Sequence, residues 1–112
     1  MAHPLRHAES SARKFGGKRE DYLAIHSWFD ESKALMPDFR HRALRHHSDG
    51  AFLAERMFGV SIRNSDGLEV PVRYIAEQHI KEEDLGRIPT VQDWLAEIRA
   101  QPWMYGQKRG QR

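Results

Sequence analysis

Apolar residues recur along this chain mainly at helical spacing, with one short interruption. Leu5, Ala8, Ala12 and Phe15 form one stripe, which predicts a helix from Pro4 to Phe15. Proline suits a first helical turn, and Gly16-Gly17 stop the helix. On this projection His3 and His7 fall on the opposite face and are expected in solvent. The segment Glu20 to Met36 comes next, with Tyr22, Ile25, Phe29 and Met36 on a shared face. His26 flanks that face, Asp30 follows it one turn later, and Pro37 interrupts the pattern.

The longest predicted helix runs from about Asp38 to Phe58, and Gly59 ends it. Phe39, Ala43, Ala54, Met57 and Phe58 fall on one side. His47 and Gly50 lie within that stripe, His46 at its edge, and His41 nearly opposite beside Arg45 and Arg56. Glycine inside a helix costs about 1 kcal/mol against alanine, so Gly50 implies a close approach by a neighbour. Phe52 lies off the stripe and is expected to meet another element or an interface.

The period then changes. Two short β-rich runs flank Asn64-Ser65-Asp66-Gly67, which predicts a hairpin over residues 60–73, with Pro71 suited to an edge strand. A helix over Arg73 to Leu85 follows, stopped by Gly86. Ile75, Ala76 and Ile80 face inward, with His79 near the centre of that face and Glu83 one turn on. Thr90 caps a last helix through Ile98, where Val91, Trp94, Leu95 and Ile98 are expected in the core. The expected fold is α+β and mainly α, with about five helices and one hairpin. Residues 1–106 are expected to form one domain and residues 107–112 a basic, flexible tail.

Composition removes several chemistries. The 112 residues contain no cysteine, which excludes disulfides, thiolate metal sites and a cysteine nucleophile. No apolar run suits a membrane span, and a cytoplasmic location is expected. The formal net charge of +2 is small for a dedicated nucleic-acid binder. There is no phosphate-cradling loop and no nucleophile-elbow motif, and "FGGK" reads as a helix stop.

What remains is imidazole beside carboxylate. His26, His47 and His79 are the candidate metal ligands. Asp30 and Glu83 are candidate ligands, orienting partners or catalytic bases, because each follows a histidine by one turn. Neutral imidazole and carboxylate suit zinc, nickel, iron or manganese, so one divalent transition metal ion is the expected cofactor. Metal-assisted hydrolysis is the reaction such a site supports. The plain alternative makes these core histidines, hydrogen-bonded to the same carboxylates or to backbone. An accessory protein acting through a protein partner or a homodimer needs only a surface, such as Phe52 or the hairpin edge. A nucleic-acid reading would use His41, Arg42, Arg45 and Arg56. Asp38, Asp49 and Glu55 lie close enough to pair with those arginines, which favours a solvated mixed-charge face.

The stretches "HPLRHAESSARKFGG", "DYLAIHSWFDESKA", "DFRHRALRHHSDGAFLAERMFG", "NSDGLEVPVRYIAEQHIKEEDLGRIPTVQDWL" and "QPWMYG" extend from His3 to Gly106. Together they resemble a family of small uncharacterised proteins from bacteria and tailed phages. The resemblance implies a single cytosolic domain, often phage- or prophage-associated, and no particular activity. Its recurring stretches include His26, Asp30, His41, His46, His47, Asn64, Asp66, Gly67, Glu77, His79 and Trp94.

Overall fold

A computed structural model describes residues 3–106. The expected basic tail at 107–112 lies outside the described residues. Helix α1 spans Pro4–Phe15, α2 Leu23–Asp30, α3 Arg42–Arg45 and α4 Ser48–Phe58. Strands β1, Ser61–Arg63, and β2, Glu69–Pro71, precede α5, Val72–Glu83, and α6, Val91–Leu95. The fold is α+β and mainly α. The strands form one antiparallel hairpin, with Ile62 opposite Val70. None of the described helices is long and apolar enough to cross a membrane.

The core is built from Ala8 of α1, Ile25 and Phe29 of α2, Ala51 and Ala54 of α4, and Ile75, Ala76 and Ile80 of α5, with Tyr22 and Val70 beside them. Helix α5 packs against α1, α2 and α4. The hairpin alone is too small to be stable and is held by its loop. Asn64 Nδ2 donates to the Phe15 carbonyl and to Tyr22 Oη, while Asp21 accepts from the amide and hydroxyl of Ser65. Gly17 sits under that loop at φ +74, where an added Cβ would come within 2.9 Å of Asn64 Cβ. The glycine pair therefore ends α1 and also lets the hairpin loop close on the α1–α2 connection.

The predicted helix 38–58 is broken. His46 and His47 leave helical geometry, at ψ 66 and ψ 174, and the chain restarts as α4. His47 is the N-cap of α4, its Nδ1 accepting from the Gly50 amide at 3.1 Å. The expected close approach at Gly50 is made by backbone: a Cβ there would lie 1.6 Å from the Arg45 carbonyl oxygen.

The break, with a 3-10 turn over Phe39–His41 before it, moves residues that the continuous projection placed elsewhere. His41, expected outside, is 0% exposed, with Nδ1 3.0 Å from Ser32 Oγ. Phe39 and Met57, expected inside, are 62% and 60% exposed. Phe39, Met36, Leu44, Leu95 and Ile98 instead line an open apolar groove of about 660 Å³ beside Trp94. Phe52 is half-exposed, with the Arg73 guanidinium 4.3 Å from its ring centroid.

Candidate metal centre

Three helices, with the α3–α4 junction, bring polar side chains together at the middle of the fold. α1 supplies His7 and Ser11, α2 supplies His26 and Asp30, and α5 supplies Gln78, His79 and Glu83. His46 comes from the helix break. His26, His46 and His79 are fully buried, and His7 and Asp30 nearly so.

Three atoms define the most compact donor set. His46 Nε2 and His79 Nε2 are 3.1 Å apart, and Asp30 Oδ1 lies 3.7 Å from the first and 3.6 Å from the second. The point equidistant from all three in their plane is about 2.0 Å from each, which is the bond length of zinc to imidazole nitrogen or carboxylate oxygen. Neither Asp30 oxygen has a close hydrogen-bond donor among the described residues. Burial would raise its carboxyl, but the longer attractions of His79, Lys33 and His46 hold it below 3.8. Lys33 Nζ approaches one of them to 3.8 Å. A buried carboxylate without hydrogen-bond donors is costly unless a cation completes it.

A second set adjoins it. His7, His79 and Glu83 each offer a ligand atom within 4.8 Å of the others. Here ion pairing already satisfies the groups. His7 Nδ1 lies 2.6 Å from Glu82 Oε1, and His7 Nε2 lies 2.7 Å from Glu83 Oε2. Arg42 approaches the other Glu83 oxygen to 3.1 Å. Burial alone would lower the His7 pKa, but hydrogen bonds to Glu83 and Glu82 raise it above 6.5. Burial would likewise raise Glu83, but its bond to His7, with the His7 and Arg42 charges, holds it at about 2. Both ring nitrogens of His7 thus face carboxylate oxygens, which favours the imidazolium form there.

The other imidazoles are pushed the opposite way. Burial, then the neighbouring His79 and His7, lowers His26 to about 2. Burial, then His79, lowers His46 to about 3 against the pull of Asp30. Burial also lowers His79. Neutral imidazoles are what a transition metal requires.

Of the residues singled out in the sequence, His79, Asp30 and Glu83 meet here. His26 lies against His79, Nδ1 to Nδ1 at 2.9 Å, but belongs to neither donor set. His47 is not brought to the centre, because it caps α4. The arginines proposed for nucleic acid do not share a free face. Arg42 is turned to Glu83, and Arg45 pairs with Glu31 and lies 4.1 Å from the Trp28 ring centroid. Arg56 stays exposed.

His7 and His46 are the two central residues that the projections misplaced or left at an edge. The signal for His7 lay in two polar stripes. His7, Ser10 and Ser11 share one side of α1, and Gln78, Glu82 and Glu83 share one side of α5. These stripes face each other, with Ser10 Oγ and Ser11 Oγ donating to Glu82 and Gln78. A second buried face on α1 explains why His7 is not in solvent.

Residues 2–104 match the model of the family described as domain of unknown function DUF6915, and the chain belongs to that family. No curated protein and no solved structure matches the chain significantly.

Proposed function

We propose that this member of a family without an assigned function is a metal-binding protein, with Asp30, His46 and His79 as the ligands of one divalent transition metal ion. The carrying observation is the donor triangle: three buried atoms, two of them on neutral imidazoles, spaced to sit about 2.0 Å from one centre. This set keeps His79 from the sequence reading, recruits Asp30 as a ligand, and replaces His26 and His47 with His46. Two imidazoles and one carboxylate suit zinc or ferrous iron and leave coordination positions for water.

Metal-assisted hydrolysis is the reaction class such an open site supports. Glu83 suits the role of base poorly, since a carboxylate held at about 2 has little affinity for a proton near neutrality. We assign it to the His7–Arg42 ion pairs that close one side of the centre.

The test is elemental analysis of untagged, dialysed protein after exposure to zinc or ferrous ion. The wild type should retain about one equivalent, and His46→Gln and Asp30→Asn should retain almost none while remaining folded. Wild-type protein free of metal, or variants that hold as much as the parent, would refute the site.

A further inference from the structure

The contacts behind His79 fix where its proton sits. Gln78 Nε2 lies 3.1 Å from the His7 carbonyl oxygen and 3.0 Å from Glu82 Oε2. Both partners only accept, so the amide's NH₂ must face them and its Oε1 must face Ser11. Ser11 Oγ is 2.6 Å from that oxygen and donates its one proton to it. The same hydroxyl is 2.7 Å from His26 Nε2. With its proton spent, Ser11 can only accept there, so His26 Nε2 carries the hydrogen.

Both ring nitrogens of His26 face neutral groups, Ser11 and His79, in a site with no solvent exposure. A cation there would be unpaired, so the ring is neutral with one N–H, and its Nδ1 is bare. His79 Nδ1, 2.9 Å away, must then be the donor.

We infer that Gln78, Ser11 and His26 are positioning residues that lock His79 as the Nδ1–H tautomer and aim its bare Nε2 at Asp30 and at His46, whose Nε2 carries the hydrogen between the two rings until a metal displaces it. The ligand role of His79 rests on the metal reading above; the tautomer does not. The chain draws on α1, α2 and α5 and ends on the backbone of His7. It accounts for a buried serine and a buried glutamine that hold no position in either donor set. It also gives His26 its place: it accepts from the ligand's distal N–H, the contact that fixes ring orientation and raises basicity in metal-binding histidines.

The experiment has two readouts. Nitrogen-15 spectra of the imidazoles in metal-free wild-type protein report tautomers directly. His79 should show a protonated Nδ1 with a bare Nε2, and His26 the reverse. Zinc titration of Ser11→Ala, which removes the link and little volume, should give affinity weakened about 10–100-fold with unchanged stoichiometry. His79 in that variant should populate both tautomers. An Nε2–H on wild-type His79, or a Ser11→Ala protein binding zinc as tightly as its parent, would overturn the inference. Wild-type protein with the stated tautomers but no zinc uptake would support the tautomer lock and refute the metal reading.

Discussion

Adjacent histidines in "RHHSDG" have separate fates, and the separation can be measured. His46 turns into the centre, while His47 accepts from the amide of Gly50 as the cap of α4. His47→Ala should cost about 1 kcal/mol in chemical denaturation, the usual value of a lost N-cap, and leave metal content unchanged. Asp30 behaves differently because its cost and its use are separate. Its oxygens lack close hydrogen-bond donors among the described residues, so Asp30→Asn removes only the longer attractions to His79, Lys33 and His46 and should lower metal-free stability modestly. The same variant should lose the upward shift of melting temperature that zinc gives the parent. A metal-free Asp30→Asn protein that melts far below the parent would show that the carboxylate is a structural partner instead. His79, Asp30 and Glu83 were legible as inward residues one turn apart. His46 was not, because its direction depends on two backbone angles that a uniform 100° projection cannot supply.

The helix break is an element-scale cause of departures from the projected pattern. Met57 follows from it, while Phe39 and His41 sit in a preceding 3-10 turn, Phe39–His41, that starts at the Asp38 cap and departs from the α-helical register on its own. The determinant of the break is local: the Arg45 carbonyl packs onto Gly50 where any other residue would carry a Cβ. On intrinsic propensity Gly50→Ala should stabilise a helix by about 1 kcal/mol. Here we expect the reverse, a loss exceeding that gain, because backbone cannot yield as a side-chain tip can. Thermal or urea unfolding of this one variant decides the sign. A stabilised Gly50→Ala protein would mean that α3 and α4 can join into one helix. The glycine was readable as a point of close approach, though not as a break. The hairpin was legible with its turn, since Asn64-Ser65-Asp66-Gly67 states its geometry locally. Docking of that turn on Asp21 and Tyr22 depends on long-range placement and left no local mark.

At the scale of the whole molecule, burial of so much imidazole sets the response to pH. His26, His41, His46, His47 and His79 are all held below 6.5, in each case chiefly by burial. Below 6.5 the unfolded chain binds protons that the native protein refuses, so stability falls with falling pH. For His26 and His46, at about 2 and about 3, the loss approaches about 2 kcal/mol each by pH 5. His7 runs the other way. Its raised pKa contributes stability that is complete below 6.5 and lost as pH rises through the folded value. Glu83 keeps its contribution until pH falls below its ordinary 4.5 toward about 2. The metal-free protein should therefore melt progressively lower from pH 6.5 to 5, and a flat or rising profile would contradict the burial of these rings. Packing of α1 and α5 through facing polar stripes, which creates this response, is a property of two helices together. Either helix read alone suggested a solvated face.

The function proposed for this protein depends on an ion held between Asp30, His46 and His79. Its most direct test is an anomalous difference map from crystals of the untagged protein grown with zinc. One strong peak is expected about 2 Å from Asp30 Oδ1, His46 Nε2 and His79 Nε2. A map without a peak there, or with zinc only on surface groups such as His3, would contradict it.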